Sequence, residues 1–215
     1  MESLWLYLHI LLLVFWVGTD VGVFIAARWS ERTSLSIETR QTVLQLGMVL
    51  DRLPRSALTL IIPSGSQLAV AAGWLNLSDA ALGVMWLAAA VWLLILWRGF
   101  LSTDPKVQEQ SAKINWALNL VLALVVSIAG VYLLTQTDIP DWLALKVLAV
   151  GAIFCAGVLL DLLFKPAVDL FIALGSTPED PELNAAYARA LSPVYKSVLA
   201  IYAFALIAAA LGVFK

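Results

Sequence analysis

The chain is predicted to fold as an all-α, polytopic transmembrane helix bundle of about six spans, with both termini on the extracytoplasmic side. Three observations predict this. Hydrophobic residues make up 62% of the 215 positions and charged residues only 13%. The apolar stretches 3–27, 56–76, 81–102, 114–135, 142–164 and 192–214 are each long enough to cross a hydrocarbon core of about 30 Å. Of the 13 Lys and Arg, eleven fall in or beside the connections 28–55, 98–113 and 165–196, whereas the alternate connections 77–80 and 136–141 hold none. By the positive-inside rule the three basic connections face the cytoplasm.

Too few polar residues remain outside these stretches to build a separate soluble unit, so residues 1–215 read as one integral membrane domain. Its expected environment is the lipid bilayer of a bacterial cytoplasmic (inner) membrane. A formal charge of −2 and the lack of any Lys/Arg-rich run exclude nucleic-acid binding. Cys155, the single cysteine, lies mid-span and has no partner for an intrachain disulfide.

The elements follow in order. Span 1 lacks a positive n-region, carries Glu2 and exceeds the usual length of a signal-peptide core, so it reads as a retained helix. In the connection 28–55, Ile37, Val43, Leu44, Leu46, Met48 and Leu50 alternate loosely with polar residues. This predicts an amphipathic cytoplasmic helix, or an extension of span 2, starting near Ser36 and ending by Leu53, before Pro54. Span 2 is interrupted by Pro63-Ser64-Gly65-Ser66-Gln67. Such a break lines a pocket or brings neighbouring helices close together. The connection 165–191 holds Pro178 and Pro181 and then an alanine-rich helical stretch, Glu182 to Leu191. Ser34, Thr177 and Ser192 are candidate helix starts. Both long connections lie on the same side, unlike an inverted repeat.

Charge inside the spans marks the candidate site. His9, Trp16 and Asp20 are seven and eleven residues apart, which places them within about 20° on one helix face. An intramembrane ionisable residue is costly and faces the bundle interior, so this stripe points inward. Two readings of His9 stand: a ligand or proton acceptor, or an imidazole that bonds a neighbouring group and only packs helices. Lys146 lies about one turn into span 5, at a depth similar to that of His9 in span 1. Either the two share a cavity between adjacent spans, or Lys146 snorkels outward to Asp138 or Asp141. Gln67 matters because a buried amide has four hydrogen-bonding positions to satisfy.

Near the cytoplasmic boundary, Asn115 and Asn119 share a face of span 4, and Asp20 and Asp161 approach from spans 1 and 5. Arg28, Arg55 and Arg98 are their expected partners in a structural salt-bridge belt. Trp74, Trp86, Trp92, Trp97, Trp116 and Trp142 lie mostly near span ends and read as interfacial anchors.

The string Leu8-His9-x6-Trp16-x-Gly18 resembles the first helix of a superfamily of small integral membrane proteins. It comprises HemJ-type protoporphyrinogen oxidases, CopD-type copper-resistance proteins and a DUF2269-like group. Trp142-Leu-x-x-Lys146 is similar to the HemJ-type helix whose lysine works with that histidine, and Leu53-Pro54-x2-Ala57-Leu58 leading to Gly73 resembles the DUF2269-like group. The resemblance implies haem b and a haem- or porphyrin-associated oxidoreductase or electron carrier. His9 would be the metal ligand and Lys146 the catalytic or second ligating group, with Trp16 and Gln67 beside the cofactor. The partners expected are a porphyrin or quinone and further copies of the chain or a larger membrane complex.

The segment after the lysine helix, Phe164-Lys165-Pro166, departs from the HemJ pattern. With one histidine, bis-histidine ligation within one chain is excluded. One His, one Cys and three Met are a poor copper set. The alternative is a non-enzymatic membrane subunit or small-solute permease without haem.

Overall fold

The computed structural model describes residues 2–215, and among them it contains seven α-helices and no strand. These are α1 (Glu2–Ser30), α2 (Ile37–Leu50), α3 (Arg52–Ala71), α4 (Asp79–Leu101), α5 (Pro105–Leu133), α6 (Asp141–Leu174) and α7 (Pro181–Val213). Five of them, α1, α4, α5, α6 and α7, are long and apolar enough to cross a membrane. α3, which corresponds to the second predicted span, has 20 residues and is diluted by Pro63, Ser64, Ser66 and Gln67.

The helices follow one another around the bundle. α1 packs on α3, α3 on α4, α4 on α5, α5 on α6 and α6 on α7, and α7 returns to α1. The expectation that spans 1 and 5 lie side by side is not met. α1 and α6 are not close backbone neighbours and meet through side chains, in a core where Trp16 and Ile153 join Ala57, Ile61 and Ala205. A second core joins Trp92, Leu96, Ala123 and Phe154 from α4, α5 and α6. Lipid tails are as apolar as these side chains, so close fit rather than water exclusion holds such helices together. Glycines provide that fit. A Cβ added at Gly130 would lie 2.7 Å from the Leu148 side chain and 2.9 Å from its backbone nitrogen.

Both chain ends lie at one end of the bundle. There Trp5 packs on Trp86, and the Lys215 ammonium sits 3.2 Å from the centre of the Trp74 ring. At this terminal end α3 stops where Gly73 takes φ +74°, a left-handed conformation that an L side chain resists.

At the opposite, arginine-rich end, α2 begins as expected after Ser36, whose hydroxyl accepts from Thr39 N at 3.3 Å, and Ser34 caps nothing. α2 then doubles back along α1, with Gly47 against Ala26, and ends at Leu50, within the expected bound of Leu53. Pro54 falls in the first turn of α3, where its missing N–H costs no helical bond.

The connection 165–191 is not a loop with a separate helix. α6 runs through Pro166 to Leu174, and α7 runs from Pro181 through Pro193 to Val213. Each proline removes one hydrogen bond, a cost of about 3 kcal/mol in a helix interior. Packing between the two extensions offsets that loss, because Ala167, Leu174, Tyr187, Leu191, Val194 and Tyr195 form a buried core. The start of α7 is set by Asp180, not Thr177 or Ser192. Its carboxylate accepts from Glu182 N at 2.9 Å and Leu183 N at 3.1 Å, with Pro181 at the first helical position.

Arg40 ties α2 to this hairpin and to α1. Only 2% exposed, it donates from Nε to Ser30 O at 2.6 Å and from Nη1 to Asn184 Oδ1 at 2.9 Å. The rings of Phe171 and Tyr187 flank its guanidinium. Burial lowers its pKa from the ordinary guanidinium value.

Candidate functional site

The stripe His9, Trp16 and Asp20 faces into the bundle along its whole length. His9 reaches α3, where its Nδ1 lies 3.1 Å from Ser64 Oγ. The Ser64 hydroxyl also lies 3.1 Å from Ile61 O. Its single proton serves one of the two: given to Ile61 O, it leaves Ser64 Oγ to accept from Nδ1–H, and given to His9, it makes Nδ1 the acceptor and puts the imidazole proton on Nε2. Nε2 has no hydrogen-bond partner among the described residues. The ring is seated against Gly65, where an added Cβ would lie 2.9 Å from His9 Cε1. α3 runs unbroken through Pro63-Ser64-Gly65-Ser66-Gln67, and of the two uses expected of this segment the structure shows close packing, with Ser64 as the polar neighbour of the ring.

Lys146 and His9 come from helices, α6 and α1, that do not pack closely on one another. The Lys146 ammonium lies against α7, and an added Cβ at Gly212 would be 2.7 Å from Nζ. Among the described residues neither Asp138 nor Asp141 pairs with it. Gln67 accepts from Trp86 Nε1 at 3.4 Å, and Trp86 packs on Trp5 one helical turn before His9. His9 and Gln67 thus share the α1–α3–α4 wall, whereas Trp16 lies two turns further in, 6% exposed, in the central core.

Beyond Trp16 a cavity of about 220 Å³ opens toward the arginine-rich end. Asp20, Asp51, Arg55, Asp161, Asn115 and Asn119 supply its polar lining. Arg55 donates from Nε to Asp51 at 2.6 Å and lies 3.8 Å from Asp161 through Nη2. Asp20 accepts from Tyr202 OH at 2.8 Å. The expected salt-bridge belt is therefore narrower than the sequence suggested. Arg28 pairs with Glu31 at 3.2 Å instead, and Arg98 has no ion-pair partner among the described residues.

Two participants were not anticipated from the sequence. Asp51 lies at the junction of α2 and α3, and Tyr202 lies in the apolar run of α7. Its hydroxyl opposite an unpaired aspartate is visible only once α1 and α7 are brought together. Trp92, expected as an interfacial anchor, is instead a core residue that donates to Asn115 Oδ1 at 2.9 Å. An indole whose N–H finds a buried amide partner has no need of the interface.

A haem ligand set can be tested against these residues. Axial ligation needs an unprotonated imidazole nitrogen, and His9 Nε2 is one in the tautomer whose Nδ1–H donates to Ser64. The chain supplies no second imidazole, and among the described residues no group of three or more His, Cys, Asp or Glu could hold a metal ion. A scan of protein-family models and searches of curated proteins and of solved structures find no significant match to this chain.

Proposed function

We propose that this chain is a haem- or porphyrin-associated membrane oxidoreductase or electron carrier of the HemJ-like kind, with His9 as its axial ligand. The observation that carries the reading is the contact of 3.1 Å by which Ser64 holds the His9 imidazole inside an apolar bundle; in this reading Nδ1–H donates to Ser64 and Nε2 is the ligand. A bound haem b would supply one-electron redox chemistry. Ser64 orients the imidazole and raises its basicity, as partners of ligating histidines do. Lys146 contributes a cation, suited to a propionate or to the carboxylates of a porphyrin substrate.

In this reading α3 makes a sixth crossing and both termini face the extracytoplasmic side of a bacterial inner membrane, following the distribution of Lys and Arg. A second copy of the chain or a membrane partner accepts or donates the electrons, with a quinone as the alternative acceptor. The test is the absorption spectrum of the full chain purified after expression with ample haem supply. A Soret band that is lost in His9→Ala supports the reading, and a colourless wild-type protein overturns it. The enclosed charged cavity favours a second reading, a non-enzymatic subunit or small-solute permease without haem.

A further inference from the structure

We propose that the cavity beyond Trp16 binds a small organic ammonium ion, with Asp20 as its counter-charge and Asn119 as an orienting hydrogen-bond partner. The inference does not depend on whether His9 carries haem.

Charge comes first. Three carboxylates, Asp20, Asp51 and Asp161, face the cavity against one guanidinium. Arg55 is already engaged by Asp51 and Asp161, so Asp20 keeps only the neutral Tyr202 hydroxyl. A carboxylate inside a membrane bundle is normally paired, and here a cation is the missing partner.

Hydrogen bonding gives an independent reason. Asn119 is 9% exposed, lines the cavity and has no hydrogen-bond partner among the described residues. Asn115, one turn away, is 5% exposed and uses its carbonyl for Trp92, which leaves its amide N–H groups free. The side chains are buried but their free amide atoms open onto the cavity, where a polar ligand can reach both. Asn119 Oδ1 accepts from an ammonium N–H as readily as a carboxylate oxygen does.

Size and lining choose the class of ion. A cavity of about 220 Å³ has room for a small amine. Trp16, Trp92 and Phe154 present aromatic surface, which attracts an organic cation. No metal-type cluster of three or more His, Cys, Asp or Glu exists among the described residues. A hydrated inorganic ion gains little from such walls.

The test titrates the full chain, purified in detergent, with n-butylammonium chloride, tetramethylammonium chloride or sodium chloride at matched ionic strength, read by calorimetry. Butylammonium is expected to bind saturably and about tenfold more tightly than tetramethylammonium, which has no N–H to give. Asp20→Asn and Asn119→Leu should each weaken butylammonium by about tenfold or more. If Asp20→Asn does not fold, Asn119→Leu decides alone, since it keeps every charge. The proposal is overturned if wild type shows no saturable butylammonium binding, if sodium competes on equal terms, or if Asn119→Leu binds like wild type.

Discussion

His9 and Ser64 are 55 positions apart in the chain and joined by a contact of 3.1 Å. Ile61 O, 3.1 Å from the same hydroxyl, competes with the imidazole for the serine proton, so the tautomer of His9 follows from which of them takes it. The arrangement needs α3 to carry Ser64 one turn after Ile61 on the face toward α1, and it makes the chemistry of α1 depend on α3.

The first prediction follows from that dependence. In haem-loaded protein, His9→Ala should abolish the Soret band, whereas Ser64→Ala should keep it and shift the redox midpoint, because Nδ1 loses its acceptor. Loss of a ligand's orienting partner costs about 10–100-fold in metal affinity, so the Ser64 variant should also release haem more readily. Lys146→Ala should leave the band in place and lower activity alone. A Ser64→Ala protein with unchanged midpoint and unchanged haem retention would show that the bond does not tune the ligand.

A second prediction separates the seat of His9 from ordinary glycine positions. Gly65→Ala places a methyl 2.9 Å from His9 Cε1, within the range that forces a neighbour to move. It should destabilise the bundle by about 1–3 kcal/mol and perturb any spectrum that reports on His9. Gly18→Ala, on the same helix as His9 but with nothing within 4 Å, should stay within about 0.5 kcal/mol of wild type. Thermal unfolding in detergent compares the two.

Arg40 provides the third. Asn184→Ala removes the acceptor of a guanidinium that is 2% exposed and already has one buried nitrogen, Nη2, without a partner. A buried charge left unsatisfied costs about 1–3 kcal/mol, so the hairpin formed by the ends of α6 and α7 should loosen from α2. Increased proteolysis within 175–180, with the rest of the chain resistant, would report it. Equal resistance in wild type and variant would mean that water replaces Asn184 at no cost.

The fourth prediction concerns orientation. With eleven of 13 Lys and Arg grouped in alternate connections, a reporter fused after Lys215 should be active on the extracytoplasmic side, and one inserted at Gly175 in the cytoplasm. Cytoplasmic activity after Lys215 would mean that α3 does not complete a crossing.

The sequence by itself determined the membrane class, because a run of about 20 apolar residues is a local property that needs no partner to be recognised. It also determined that His9, Trp16 and Asp20 share an inward face, since the helical period alone sets that relation. Asn115 and Asn119 were legible for the same reason, and both are buried on one side of α5. Helix ends were less legible. The spans were expected to stop at 164 and to start at 192, yet α6 continues through Pro166 and α7 begins before Pro193, because the packing around Leu174, Tyr187 and Leu191 outweighs one lost hydrogen bond apiece.

Only the tertiary structure decided which polar groups meet. It gave His9 to Ser64, Asp20 to Tyr202, and Arg55 to both Asp51 and Asp161, while Arg28 turned to Glu31. Composition and period place a charge on a face and at a depth. The partner across the bundle depends on the order of helices around it and on where glycines allow close approach, and these are set by packing between segments far apart in the chain.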